Sequence, residues 1–382
     1  MARIWNKPRI TEQSSLRGRH KQSNTPLKKV FVGLSGGVDS AVSAALLSAE
    51  GGSSFEGKER YDVVGAFIKI WRPEFTECTW KEDRQDAMRV AAALGIPFRE
   101  IDLSEKYKKE VVDSMVRDYA RGITPNPDVL CNREIKFGRF FKWAREQGAD
   151  FVATGHYARV VKNDGKFELH RGTDSVKDQS YFLHQIKGTD LAHILFPIGE
   201  LEKSEVRRLA ARFDLPVATR PDSQGLCFVG DISMTEFLAR FIPLKSGPVL
   251  DEVSPRRIVG EHEGAALYTI GQRHGFKIFK SGEPYYVTRI DVAANTIFVS
   301  HRREDGAVRS ACVGRMHWID EKQKMPATAH AQCRYREESV PVTLAQESNT
   351  LRVTFQTPHI AAPGQSLVIY NRDRCLGGGA IQ

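Results

Sequence analysis

A doubly wound parallel α/β sheet, followed by a small middle domain and a C-terminal β-barrel, is the fold class this sequence predicts. Three observations carry it. From about residue 30 to residue 156, apolar β-branched runs alternate with helical periodicity, the pattern of βαβ units. The first run ends in a glycine turn that opens directly into a helix. From Pro284 onward, short alternating strands separated by turns dominate. A chain of 382 residues is also too long for one compact core.

Taken in order, Val30-Phe31-Val32 is the first strand, Gly33 to Gly37 the turn, and Val38 to Leu47 a helix. Tyr61 to Ile70 is the second strand. Glu82 to Leu94 is a helix with Ala87, Val90, Ala91 and Leu94 on one face, ended by Gly95. Pro97 to Asp102 is a third strand and Tyr107 to Ala120 a helix. Two prolines place Thr124 to Asp128 in a loop. Phe137 to Gln147 is helical, and Phe151 to His156 is a strand broken by Gly155. In such sheets ligands bind beyond the carboxyl ends of the strands. The first glycine turn and Thr154-Gly155-His156 both fall there. Lys203 to Phe213 is helical, and a polar loop follows. The expected units are a basic extension at 1–29, the α/β domain at 30–222, a middle domain at 223–283 and the barrel at 284–382. The barrel would begin with a hairpin of Tyr285 to Ile290 and Thr296 to Val299.

The composition is that of an ordinary globular chain, 41% hydrophobic and 27% charged, with no apolar run long enough to predict a membrane span. Residues 1–29 hold eight basic side chains against one acid, Glu12, so most of the net charge of +9 sits there. That segment has three readings: an RNA-touching arm, an organelle transit peptide, or a solvated extension. It has no apolar core of a secretion signal. The six cysteines (78, 131, 227, 312, 333 and 375) form no Cys-x-x-Cys pair. Reduced thiols are therefore the default, without a disulfide framework or zinc ribbon.

Three stretches carry chemistry. Gly33-Leu34-Ser35-Gly36-Gly37-Val38-Asp39-Ser40 presents unpaired backbone N–H groups at a helix start, an anion site. It is not a P-loop, because it holds no lysine to reach a phosphate; it resembles the pyrophosphate loop of ATP-pyrophosphatase enzymes. Asn126-Pro127-Asp128 precedes Cys131, with Arg133 and Lys136 nearby. This is either a reactive thiolate beside an acid/base group or a structural loop with one packed cysteine. Cys227 lies in the polar, glycine-flanked stretch 222–230, and could exchange a disulfide with Cys131 if the fold joins them.

Together these motifs resemble the tRNA-specific 2-thiouridylase family (MnmA/TrmU). The matching segments are the loop 33–40, Asn126 to Asn132, Ala153 to Tyr157, Lys177 to Leu183, Gly225 to Phe228, Tyr268 to Arg273 and Leu376 to Gly379. The resemblance implies the adenine nucleotide alpha hydrolase-like (PP-loop) fold and a sulfurtransferase using ATP and Mg²⁺, with no dedicated protein cage for the metal. It implies ATP-binding at Gly33, Leu34, Ser35, Gly36, Gly37, Val38, Asp39, Ser40, Ile68 and Gly155, with Ile68 standing where methionine is expected. Catalytic roles fall to Asp128 (acid/base), Cys131 (nucleophile) and Cys227 (persulfide carrier), with a transient Cys131–Cys227 disulfide. tRNA contacts fall to Asn126, Pro127, Asp128, His156, Lys177, Asp178, Gln179, Arg334, Tyr335 and Gln365. The implied partners are the anticodon stem-loop of tRNA, with its wobble uridine, and a persulfide donor, either a cysteine desulfurase or a relay carrier. No membrane is implied, and the location is cytoplasmic, or mitochondrial if residues 1–29 are a transit peptide. Segment 72–78 lacks the acid-rich loop expected there, and residues 1–29 have no counterpart. The alternatives are another ATP-pyrophosphatase acting on tRNA or a small molecule, and a non-catalytic RNA-binding relative.

Overall fold

The computed structural model describes residues 27–48, 61–76, 80–222, 232–280 and 282–382. Strands β1 (Lys28–Gly33), β2 (Tyr61–Lys69), β3 (Phe98–Asp102), β4 (Phe151–Ala153) and β7 (Ile194–Leu195) form one sheet in the order β3-β2-β1-β4-β7. Every pairing in it is parallel. Side chains of β1 alternate between two cores. Val30 and Val32 join the core under α1 (Val38–Leu47) and α2 (Trp80–Ala93), while Phe31 joins the core on the opposite face. Burial on both faces explains why the strand reads as an unbroken apolar run. The second face is covered by helical segments at 104–120 and 127–146.

The predicted loop at Thr124 to Asp128 ends earlier than expected. The helix begins at Pro127, with Asn126 as its N-cap, its side chain accepting from the Val129 N–H at 3.4 Å. Proline is tolerated there because the first helical N–H has no intrahelical partner to lose. Helical turns then continue to residue 146, with a π-helical stretch at Cys131–Phe140.

Two strands that the sequence reading left inside the α/β domain belong elsewhere. β5 (Ala158–Asn163) and β6 (Lys166–Arg171) form a hairpin, and β6 reaches the barrel through the pair Arg374–His170. The barrel is a closed ring of β13 (Val308–Trp318), β16 (Thr350–His359), β15 (Val340–Glu347), β14 (Thr328–Gln332), β17 (Ser366–Asn371) and β18 (Arg374–Ile381). Pairing of β13 with β18 closes it and removes the open edges.

The hairpin expected to open the barrel does not do so. β11 (Tyr286–Asp291) and β12 (Thr296–Ser300) complete a separate sheet with β8 (Gly247–Asp251), β9 (Ile258–His262) and β10 (Lys277–Ile278). β12 pairs in parallel with β8, and their side chains share one core around Val249, Val287, Ile297 and Val299. Alternation predicts a strand but not its partner.

Candidate active site

Local chemistry shapes the pyrophosphate loop. Gly36 has φ +80°, which favours glycine, and a Cβ there would meet the Asp83 carbonyl oxygen at 2.5 Å. The Ser40 hydroxyl donates to the Gly37 carbonyl at 3.0 Å and accepts from the Ser35 N–H at 3.2 Å. Gly155, past the end of β4, lies directly against this loop: a Cβ would sit 2.7 Å from both the Asp39 carbonyl carbon and the Ser40 nitrogen. Two segments more than a hundred residues apart thus meet backbone to backbone. Ile68 is half-buried at the end of β2, packed on the core of the opposite face.

Charged groups from distant segments ring the loop. The Asp39 carboxylate accepts from the Tyr157 hydroxyl at 2.8 Å and from Lys203 Nζ at 2.7 Å. Lys203 also reaches Asp222 at 2.9 Å, and Asp222 pairs in addition with Lys177 at 2.8 Å and with Arg207. Burial opposes the Asp222 charge, but hydrogen bonds from Lys177 and Lys203 outweigh it and hold the carboxyl well below the usual carboxylate range. Burial and the neighbouring Asp39 push the Tyr157 phenol well above its ordinary value. Arg220 donates to the Gly36 carbonyl at 3.0 Å, to Asp86 at 2.8 Å and to Asp83 at 2.5 Å. Sequence reasoning assigned no role to Tyr157 or Asp222 within their motifs and gave no signal for Lys203 or Arg220, single charged residues outside any motif.

Asp128 and Cys131 lie on the first turns of the 127–146 helix. Cys131 is 5% exposed, so its thiol is held in a helix rather than on a loop. Burial raises the Asp128 carboxyl above the usual range, and Lys136 partly offsets this. A raised carboxyl suits a group that exchanges protons near neutral pH. Lys136 Nζ lies 3.3 Å from His156 Nε2, and His156 Nδ1 lies 2.7 Å from the Thr154 hydroxyl. His156 is buried, and both burial and Lys136 drive its pKa well below the ordinary histidine value. A neutral ring that accepts from Lys136 on Nε2 carries its proton on Nδ1.

The turn before Asp128 is held by all three units. Gln365 from the barrel donates to the Thr124 carbonyl at 2.9 Å. Thr269 from the middle sheet's motif bonds the Thr124 hydroxyl at 2.9 Å. Arg334 donates to the Ile270 carbonyl, and burial lowers its pKa.

Several expected tRNA contacts are turned inward. Asp178 is buried and accepts from Arg171 at 2.9 Å and from the Gly172 N–H, Ser180 N–H and Ser180 hydroxyl at 3.0 Å each. Gln179 accepts from the Tyr157 N–H at 3.0 Å. Tyr335 packs on Phe182 with ring centroids 4.5 Å apart. His156 is interior, as described. Asp178 and His156 are buried, whereas Gln179 and Tyr335 keep partial exposure. Lys177, Arg334 and Asn126 keep partial exposure. The glycines of Leu376-Gly377-Gly378-Gly379 serve packing: Cβ atoms would strike the His317 carbonyl at 1.9 Å, the His184 ring at 2.6 Å and Val313 at 2.6 Å. Cys227 and Cys78, the Cys131–Cys227 disulfide and most of the basic extension lie outside the described residues.

Comparison with known proteins places this architecture. Family models match residues 28–231 (tRNA methyl transferase HUP domain), 235–301 (tRNA methyl transferase PRC-barrel domain) and 308–381 (aminomethyltransferase beta-barrel domain). The chain is 41% identical over 360 residues to the tRNA-specific 2-thiouridylase MnmA 2 of Geobacillus kaustophilus, covering 92% of this chain and 94% of that one. It is 42% identical to the MnmA of Pectobacterium carotovorum, over 94% of this chain and 98% of that one. The chain belongs to the tRNA-specific 2-thiouridylase (MnmA) family. Likeness to solved structures is slight: the NMN synthetase of Francisella tularensis gives a TM-score of 0.32 at 20% identity, over 54% of this chain and 71% of that one. The MnmA family boundaries at 235–301 and 308–381 agree with the strand pairing that puts β11 and β12 in the middle sheet.

Proposed function

We propose that this chain is a tRNA-uridine 2-sulfurtransferase that converts the wobble uridine (U34) to 2-thiouridine, releasing AMP and pyrophosphate. The similarity of 41% over 92% of the chain to a curated 2-thiouridylase carries this reading. A uracil carbonyl is unreactive, so the reaction needs an activated oxygen. In this scheme the uridine O2 attacks the α-phosphorus of ATP, the N3 proton leaves to a base, and pyrophosphate departs with the electrons of the broken P–O bond. Ser35 to Ser40 bind the pyrophosphate portion through backbone N–H groups. Asp39 is the loop carboxylate that would hold a Mg²⁺ brought with the nucleotide, which would screen the phosphate charge. Asp128, with its raised pKa, is the proton acceptor beside the base. The terminal sulfur of a Cys227 persulfide, loaded by a donor protein, then attacks C2 and AMP leaves. The Cys131 thiolate attacks the inner sulfur, leaving a Cys131–Cys227 disulfide and thiolated tRNA. The base must leave its stack to reach these groups. The tRNA contacts fall to the segments of Asn126, Pro127 and Asp128, of His156, of Lys177, Asp178 and Gln179, of Arg334 and Tyr335, and of Gln365. The expected compartment is the cytoplasm, or the mitochondrion if residues 1–29 are a transit peptide.

The test incubates the protein with ATP, Mg²⁺, a persulfide donor and unmodified tRNA, and measures 2-thiouridine by nucleoside mass spectrometry. Thiolation is expected with the wild type and is lost in Cys131→Ser and Cys227→Ser, while Cys131→Ser still binds tRNA. No thiolation by the wild type, or full activity in Cys227→Ser, overturns the assignment.

A further inference from the structure

The pyrophosphate loop brings no cation of its own. Residues 33–40 carry one charge, and it is the negative one of Asp39. An ATP pyrophosphate portion arriving there meets backbone N–H groups and a carboxylate. Helix-terminus attraction alone is modest and fades within a turn, so a mobile positive charge close to the loop has an evident use.

Among the described residues two basic side chains touch the loop, and they differ in what they can give up. Arg220 spends its guanidinium on Asp83, Asp86 and the Gly36 carbonyl, so it braces the loop from behind. Lys203 bridges Asp39 and Asp222 at 2.7 and 2.9 Å. Each carboxylate keeps another partner when Lys203 turns away. Asp39 also accepts from the Tyr157 hydroxyl, and Asp222 also pairs with Lys177 and Arg207. Lys203 is therefore the cation the cluster can spare. It is also well placed: it opens the Lys203–Arg212 helix, its backbone N–H is held by Asp174 at 3.0 Å, and its side chain is only 15% exposed.

We infer that Lys203 is a catalytic residue of the adenylation step, whose ammonium turns from the two carboxylates to the pyrophosphate portion of ATP. It supplies from a distant helix the charge that a P-loop carries within its own loop. When the bond between the α-phosphorus and the bridging oxygen breaks, the electron pair stays on pyrophosphate, and Lys203 meets that charge as it develops. The inference rests on the reading of this chain as an ATP pyrophosphatase.

The test measures binding of inorganic pyrophosphate with Mg²⁺ by calorimetry, and the rise in melting temperature it produces. Wild type, Lys203→Met, Lys203→Gln and Lys203→Arg are compared. The expected result is at least about tenfold weaker pyrophosphate binding in Lys203→Met and Lys203→Gln. Partial recovery is expected in Lys203→Arg, with tRNA binding unchanged in all three. Unchanged pyrophosphate affinity in Lys203→Met or Lys203→Gln overturns the inference. So does failure of both to fold while Lys203→Arg folds but binds no better than background, since the lysine is then a structural staple. A wild type that binds neither pyrophosphate nor ATP overturns the ATP-pyrophosphatase reading itself, a result distinct from the others.

Discussion

The two ends of the site are built differently. The pyrophosphate end rests on eight consecutive residues whose turn is closed by hydrogen bonds between Ser35, Gly37 and Ser40, with Gly36 and Asp39 also bonded to Arg220, Tyr157 and Lys203. The end that holds Asp128 rests on a turn fixed from 145 residues away by Thr269 and 241 residues away by Gln365. A local loop keeps its shape wherever the strand and helix behind it survive. A turn assembled from three units keeps its shape only while those units stay docked. Nucleotide binding should therefore be robust to changes at the unit junctions, and base modification should not.

The strongest challenge to this contrast strikes a place where the local loop is packed against a remote residue. Gly155→Ala forces a Cβ to within 2.7 Å of backbone atoms of Asp39 and Ser40. ATP-dependent AMP formation should fall about 100-fold, with a stability loss of ~1–3 kcal/mol. AMP release and denaturant titration read both, and near-normal AMP formation would show that the loop is not seated against Gly155.

A smaller effect follows from pH, because each region buries a neutral histidine. Burial lowers His156 well below its ordinary value, and lowers His184, against the Gly378 backbone, to about 4. Both folded values lie below the unfolded value of about 6.5. The unfolded chain therefore takes up protons first as pH falls. The stability these residues contribute is complete above about pH 6.5 and declines below it, by ~2 kcal/mol at pH 5 for His184. Denaturant titrations at pH 7.5 and pH 5 check this, and equal stability at the two values would mean that neither ring is held neutral.

The smallest expected effect isolates the junction. Gln365→Ala removes the donor to the Thr124 carbonyl, at about 1 kcal/mol. The KM for tRNA in thiolation should rise about fivefold, while pyrophosphate affinity stays at the wild-type value. A matching loss of pyrophosphate binding would show that the two ends are not independent.

Much of this was legible in the residues. Strands β1 to β4 and the helices between them follow from alternation, periodicity and glycine punctuation. The loop 33–40 was readable because its atoms satisfy one another locally. Other features were not legible. The motif that holds Asp178 and Gln179 does not show that their side-chain oxygens accept from Arg171, Gly172, Ser180 and Tyr157. Two prolines in Thr124 to Asp128 suggest a loop, yet Pro127 is the first residue of a helix. The β11–β12 hairpin reads correctly as strands, but its sheet is chosen by β8.

The sequence by itself determined the pyrophosphate loop, the alternation that builds the parallel sheet, and the three-residue spacing of Asp128 and Cys131. These depend on contacts within a few residues, where chain connectivity leaves few options. The tertiary structure alone decided that Lys203 and Tyr157 reach Asp39, that Gly155 presses on the loop, and that Gln365 and Thr269 hold the turn before Asp128. Those contacts join residues more than a hundred positions apart. They exist because separate cores dock in one arrangement, which no local pattern encodes.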